Sequence, residues 1–161
     1  MAVMELNKMK AALQNDQRLL GLDLGSKTIG LAMSDTSRTI ASPFETLNHT
    51  KFTNDALRIK QIVDEFNIGG IVIGLPVSMD GSEGPRCQSA RTFAINLLAK
   101  FEIMISFWDE RLSTSAIQRM LVDDVDMTRK RRGEVVDKLA ATYILQGALD
   151  ATVRAESAKN K

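Results

Sequence analysis

The stretch RLLGLDLGSKTIGLAMSD, residues 18–35, decides the fold. An apolar run closes on Gly25, a three-residue connection of Gly25, Ser26 and Lys27 follows, and a second apolar run begins at once. So short a link between two β-prone runs predicts an antiparallel hairpin, with Gly25 supplying backbone angles that other residues resist. RTIASPFETL, residues 38–47, alternates in character and predicts a third strand in the same meander.

Downstream, the pattern changes to helix and strand in turn. Thr53, Asn54 and Asp55 are N-cap candidates for a helix whose apolar stripe is Ile59, Ile62, Val63 and Phe66, with Gly69 available to stop it. Ile71, Val72 and Ile73 form a β-branched run of the kind found in a strand covered on both faces, ending at Gly74, Leu75 and Pro76. A second helical stripe runs through Ala90, Phe93, Ala94, Leu97, Leu98 and Phe101. Ile103 to Trp108 predicts another buried strand, ended by Asp109, Glu110 and Arg111, with Ser113 or Thr114 capping a helix that carries Ile117, Met120 and Leu121. Residues 123–134 have little to bury and are expected to form a mobile loop. A last helix has its stripe at Val136, Leu139, Ala140, Tyr143, Ile144, Gly147 and Ala148. Three antiparallel strands followed by helix and strand units predict an α/β fold: a mixed sheet of five strands, the last two parallel, with helices on both faces. Sites in such sheets form beyond the carboxyl ends of strands.

The bulk properties set bounds on function. At 161 residues the chain fits one domain, expected over residues 17–153, with residues 1–16 as an extension that could hold a short amphipathic helix and 154–161 as a polar tail. The lone Cys87 excludes an internal disulfide and suits a reducing compartment, and His49 is the only histidine, so no zinc cluster can be assembled. No apolar run is long enough to cross a membrane and no signal peptide is visible, which predicts a cytoplasmic protein. A net charge of +1 gives no global attraction to nucleic acid, so a polyanion would have to be held by a local patch.

Asp23 lies within an otherwise apolar strand, where an ionised carboxylate needs pairing, hydrogen bonds or a metal. A plainer role, bonding the Gly-rich turn, is equally open for this residue alone. Asp109 and Glu110 end another strand, and alternation lets only one of them share a face with Asp23; the sequence does not choose. Asp137 begins the last helix, where an acid also serves the helix dipole. If the three acids converge, like charges demand cations, and oxygen-only ligands select Mg²⁺ or Mn²⁺. A pair of such ions supports phosphodiester cleavage. Candidates to meet phosphates are Ser26, Lys27, the Gly74-Leu75-Pro76 loop, Arg86, Arg111 and the run Arg129, Lys130, Arg131, Arg132, which alone reads more readily as a solvated loop but gains weight from its place just before Asp137.

GLDLGSKTIGLAMSD (21–35), IVIGLPVSMDGSEG (71–84), DERLST (109–114) and VVDKLAATYILQGAL (135–149), in this order, resemble the YqgF family, described both as Holliday-junction resolvases and as nucleases processing the 5′ end of pre-16S ribosomal RNA. The resemblance spans residues 17–150 and is specific because four motifs recur at compatible separations. It implies an RNase H-like fold, a divalent-metal nuclease acting on structured RNA or branched DNA, and metal-binding, catalytic acids at Asp23, the DER acid and Asp137. Superfamily analogy prefers Glu110 over Asp109. A homodimer would suit two-strand cutting, though no apolar seam establishes one. DLGSKTIG also resembles the phosphate-binding hairpin of sugar kinases and actin-like ATPases, but those proteins repeat it in a second domain and this chain has it once. A non-catalytic nucleic-acid-binding adaptor using the basic run is the remaining alternative.

Overall fold

The computed structural model describes residues 3–78, 80–110 and 138–151. Helix α1 (Leu6–Ala12) precedes β1 (Arg18–Leu24), β2 (Thr28–Ser34), β3 (Ala41–Asn48), α2 (Phe52–Glu65), β4 (Ile68–Leu75), α3 (Pro85–Lys100) and β5 (Met104–Asp109). The described residues 138–151 are helical and are called α4. The strands form one sheet in the order β3-β2-β1-β4-β5. β1 and β2 pair antiparallel, as do β2 and β3, whereas β4 pairs parallel with both β1 and β5. This is the mixed five-stranded sheet that the meander followed by crossovers predicts, and the RNase H-like fold that the family resemblance implies. The helix expected after Thr114, the loop at 123–134, Asp137, Arg111 and the basic run 129–132 lie outside the described residues.

Side-chain alternation along the central strands divides the core in two. Leu20 and Leu22 of β1, Ile71 and Ile73 of β4 and Ile105 of β5 pack with α2 and α3. Leu19 of β1 and Val72 of β4 pack on the other face with Ala141, Ile144, Leu145 and Met9. The N-terminal segment belongs to this second layer: Met9 is fully buried, and the backbone N–H of Met4 donates to Ile105 O at 2.8 Å along the free edge of β5. This single bridge occupies the edge at Ile105. Among the described residues no helix is long and apolar enough to cross a membrane.

Four local expectations are corrected by tertiary contacts. The α2 N-cap is Lys51, with no side-chain cap bond, because the carboxylate of Asp55 is turned inward to His49 instead. Asn67, at φ 54°, follows the end of α2 in the left-handed region, and Gly69 lies inside β4. Gly25 has an ordinary φ, and its need is space: a Cβ there would lie 2.9 Å from Thr28 O, the carbonyl that accepts Gly25 N–H. The buried stripe of α4 is rotated from the expected one, adding Ala141, Leu145 and Leu149, while Leu139, Tyr143 and Gly147 are only half-buried. Both candidate stripes are apolar, and the sheet chooses between them by offering Gly21, where a Cβ would be 2.8 Å from Leu145 Cβ and 3.0 Å from Ala141 O.

Candidate functional site

Three positions on the α4 face line up across the carboxyl ends of the central strands. Asp23 follows Leu19 and Gly21 on that face of β1, and Gly74 follows Val72 on that face of β4. On β5, Ile105 belongs to the opposite layer, so Trp108 and then Glu110 point toward α4, with Trp108 against Gly147. The same alternation sends Asp109 the other way.

β4 lies between β1 and β5, so carboxylates on the outer two strands would ordinarily be separated by a side chain on the middle one. Here that residue is Gly74. The position its Cβ would take is 2.5 Å from Glu110 Oε1 and 2.4 Å from Ile144 Cδ1, so the Glu110 carboxyl occupies the space a side chain would need. Across this gap Glu110 reaches a side-chain hydrogen bond with Asp23. Two carboxyl groups can share such a bond only if the pair holds a proton. Burial, then the charge of Asp23 and the hydrogen bond to it, push the Glu110 pKa up to about 7. Arg86, at the start of α3, pulls in the opposite direction, and Asp109 adds a further push upward.

Of the expected site residues, the structure therefore brings together Asp23, Glu110 and Arg86, and keeps Asp109 on the other face. Lys27 is exposed in the β1–β2 turn, where its carbonyl accepts the His49 N–H at 2.8 Å. Asp137, Arg111, Arg129, Lys130, Arg131 and Arg132 are outside the described residues. Among the described residues no group of three or more His, Cys, Asp or Glu side chains is placed to hold a metal. The carboxylate pair suits a hard cation: its donors are all oxygen, and a cation would offset the like-charge repulsion that otherwise keeps a proton on the pair.

A second feature at this end of the sheet went unread in the sequence. Asp55 is 3% exposed and binds His49 through Nδ1, tying the residue after β3 to the first turn of α2. A carboxylate six residues from the only histidine is a weak signal, because helical periodicity marks Asp55 as a first-turn acid.

Comparison with known proteins connects this geometry to a family. A family model described as "RuvX: Holliday junction resolvase" matches residues 17–151. Among curated relatives, a protein of Paramagnetospirillum magneticum named "Putative pre-16S rRNA nuclease" is 61% identical over 150 residues, covering 93% of this chain and 96% of its own. A relative of the same name in Rhodospirillum centenum is 56% identical over 155 residues, covering 93% and 82%. In fold, the chain is similar to the yeast mitochondrial Holliday junction resolvase Ydc2, with TM-score 0.56 at 10% identity over 96% of this chain and 87% of that one. It is also similar to T. thermophilus RuvC in complex with a Holliday junction, with TM-score 0.51 at 12% identity over 85% and 96%. Those two likenesses concern architecture alone, whereas the family match runs from β1 with Asp23 through β5 and into α4. On that match the chain belongs to the RuvX (YqgF) family.

Proposed function

We propose that the protein is a cytoplasmic, divalent-metal-dependent nuclease that hydrolyses phosphodiester bonds during 5′-end processing of pre-16S ribosomal RNA. The observation that carries this reading is the meeting of Asp23 and Glu110 across Gly74 at the carboxyl end of the sheet. The curated relatives' names supply the substrate class.

In this reading Asp23 and Glu110 hold Mg²⁺ or Mn²⁺, with Asp137 as a further ligand. Ala141, four residues beyond Asp137, packs on Gly21, two residues before Asp23, which supports that assignment. A bound divalent cation supplies charge neutralisation at the scissile phosphate and a more acidic water. The chain's own residues do the rest. Paired β1 fixes Asp23, while the contacts of Glu110 with Gly74 and Asp23 fix the second carboxylate, so the ligands need little reorganisation. Without the cation, Glu110 keeps its proton to about pH 7, and cation and proton therefore compete for one group. In this reading Arg86, close enough to influence Glu110, and Lys27 in the exposed turn hold phosphates of the substrate backbone. Arg111 and the run Arg129 to Arg132 extend that patch in this reading.

The purified chain with Mn²⁺ should cleave RNA carrying the 5′ extension of 16S precursor, and Asp23→Asn should not. Equal cleavage by the two proteins rejects the assignment. A second reading, branched DNA as substrate for the same carboxylates, is favoured by the family's description. Four-way junction DNA competing against precursor RNA in one Mn²⁺ reaction decides between them. Junction-only cutting by a homodimer, seen by light scattering of the complex, selects the second.

A further inference from the structure

A cavity of about 360 Å³ opens at the same end of the sheet, immediately beyond Asp23. Its apolar walls are Leu24, Ile29, Ala90 and Phe93, and its polar lining is Ser26, His49, Arg86 and Ser89. The apolar part is rigid: Ile29 is 1% and Ala90 2% exposed, and the Phe93 ring is held edge-to-face by Phe52 at a centroid distance of 5.3 Å. The polar part is also set in place. Because the buried Asp55 carboxylate accepts from His49 Nδ1, the Nε2 atom is the one left for a ligand. Ser89 is exposed, with its hydroxyl donating to Pro85 O at 3.1 Å.

We propose that this cavity receives one unpaired nucleobase of the bound strand, with the adjoining phosphate at Arg86 and the scissile bond at Asp23 and Glu110. The inference rests on the nuclease reading and deepens it, since it makes the substrate a strand with an unstacked nucleotide beside the cleavage point. Three observations point to a base in particular. The volume admits a heterocycle, the walls combine an aromatic ring with aliphatic side chains, and Ser26, His49, Arg86 and Ser89 supply hydrogen-bonding groups for a base's polar edge. The position adds the fourth: the cavity lies on the α2/α3 side of the sheet's carboxyl end, where Leu24 also packs, and Arg86 lies both on its lining and within electrostatic reach of Glu110 on the α4 side. A strand with its base in the cavity and its phosphate at Arg86 would cross the carboxyl ends of the strands to reach the two carboxylates.

The test is binding in EDTA, where no cleavage occurs, read by fluorescence anisotropy on an RNA hairpin with a single bulged adenosine and on the same hairpin with an abasic bulge. Stacking of a base on an aromatic side chain predicts about a tenfold preference for the adenosine. Phe93→Leu, which removes the ring, and Ser89→Leu, which narrows the cavity from an exposed position and spares the core, should each reduce that preference to within about twofold. The proposal is overturned if the wild type binds both hairpins equally, or if both variants keep the full preference. Mn²⁺-dependent cleavage is measured separately, so a protein that discriminates without cutting refutes the nuclease reading alone, and one that cuts without discriminating refutes the cavity alone.

Discussion

Substituting Gly74 by alanine places one methyl group where the two halves of the site meet. A Cβ at this position would be 2.5 Å from Glu110 Oε1, 3.0 Å from Glu110 Cγ and 2.4 Å from Ile144 Cδ1. Ordinary contact requires about 3.4 Å or more, so the Glu110 carboxyl and the Ile144 methyl must each retreat by roughly 1 Å. Ile144 is 1% exposed and packed against the sheet, and Glu110 has β5 behind it, so neither can move freely. Overpacking of this kind costs about 1–3 kcal/mol, which for a chain of this size lowers the melting temperature by roughly 2–10 °C. The functional effect is larger. A displacement of about 1 Å in a catalytic group costs roughly 100-fold in rate, and divalent-ion affinity falls with it. The assay is Mn²⁺ titration by calorimetry alongside cleavage of precursor RNA, with Gly84→Ala as control, since a Cβ at Gly84 meets nothing within 4 Å. Wild-type Mn²⁺ affinity and cleavage in Gly74→Ala would refute the claim that the glycine makes room for the carboxylate pair.

Three further outcomes follow from the same contacts. In metal-free buffer, stability should fall as pH rises from about 4.5 to about 7, because the unfolded chain releases the Glu110 proton across that range while the folded chain keeps it. Allowing for partial exposure of the group, the loss is roughly 2 kcal/mol, measurable by urea denaturation, and added Mn²⁺ should reverse it increasingly above pH 7. Asp23→Asn removes the like charge facing Glu110 and should raise the metal-free melting temperature at pH 8 by about 2–4 °C, while abolishing cleavage. Asp55→Ala, which strips His49 of its buried partner, should destabilise by about 2 kcal/mol on chemical denaturation without weakening Mn²⁺ binding.

The sheet was legible because its signals are local. Gly25 to Lys27 is too short to be anything except a hairpin connection, and the Ile71 to Ile73 run carries its own β preference. Glu110 against Asp109 could not be read that way, because the choice depends on register: β5 pairs with β4 so that Trp108 lies opposite Gly74. Alternation then carries Glu110 to the α4 face. The role of Gly74 was hidden for the same reason, since a strand-end glycine has meaning only once the two strands beside it are known. The α4 stripe was misplaced because helical spacing permits two apolar faces and the choice lies with Gly21, more than 110 residues earlier in the chain. Asp55 looked like a cap and is a buried partner of His49, a contact between a strand end and a helix start that helical periodicity alone does not register. The first residues carried little pattern, yet Met9 is buried and Met4 bonds the edge of β5.

Anomalous diffraction from a crystal soaked in Mn²⁺ tests the central claim most directly. The account predicts density for the ion within coordinating distance of both the Asp23 and Glu110 carboxylates, roughly 2.0–2.5 Å from their oxygens. Ions bound elsewhere, with those two carboxylates still hydrogen-bonded to each other, would contradict it.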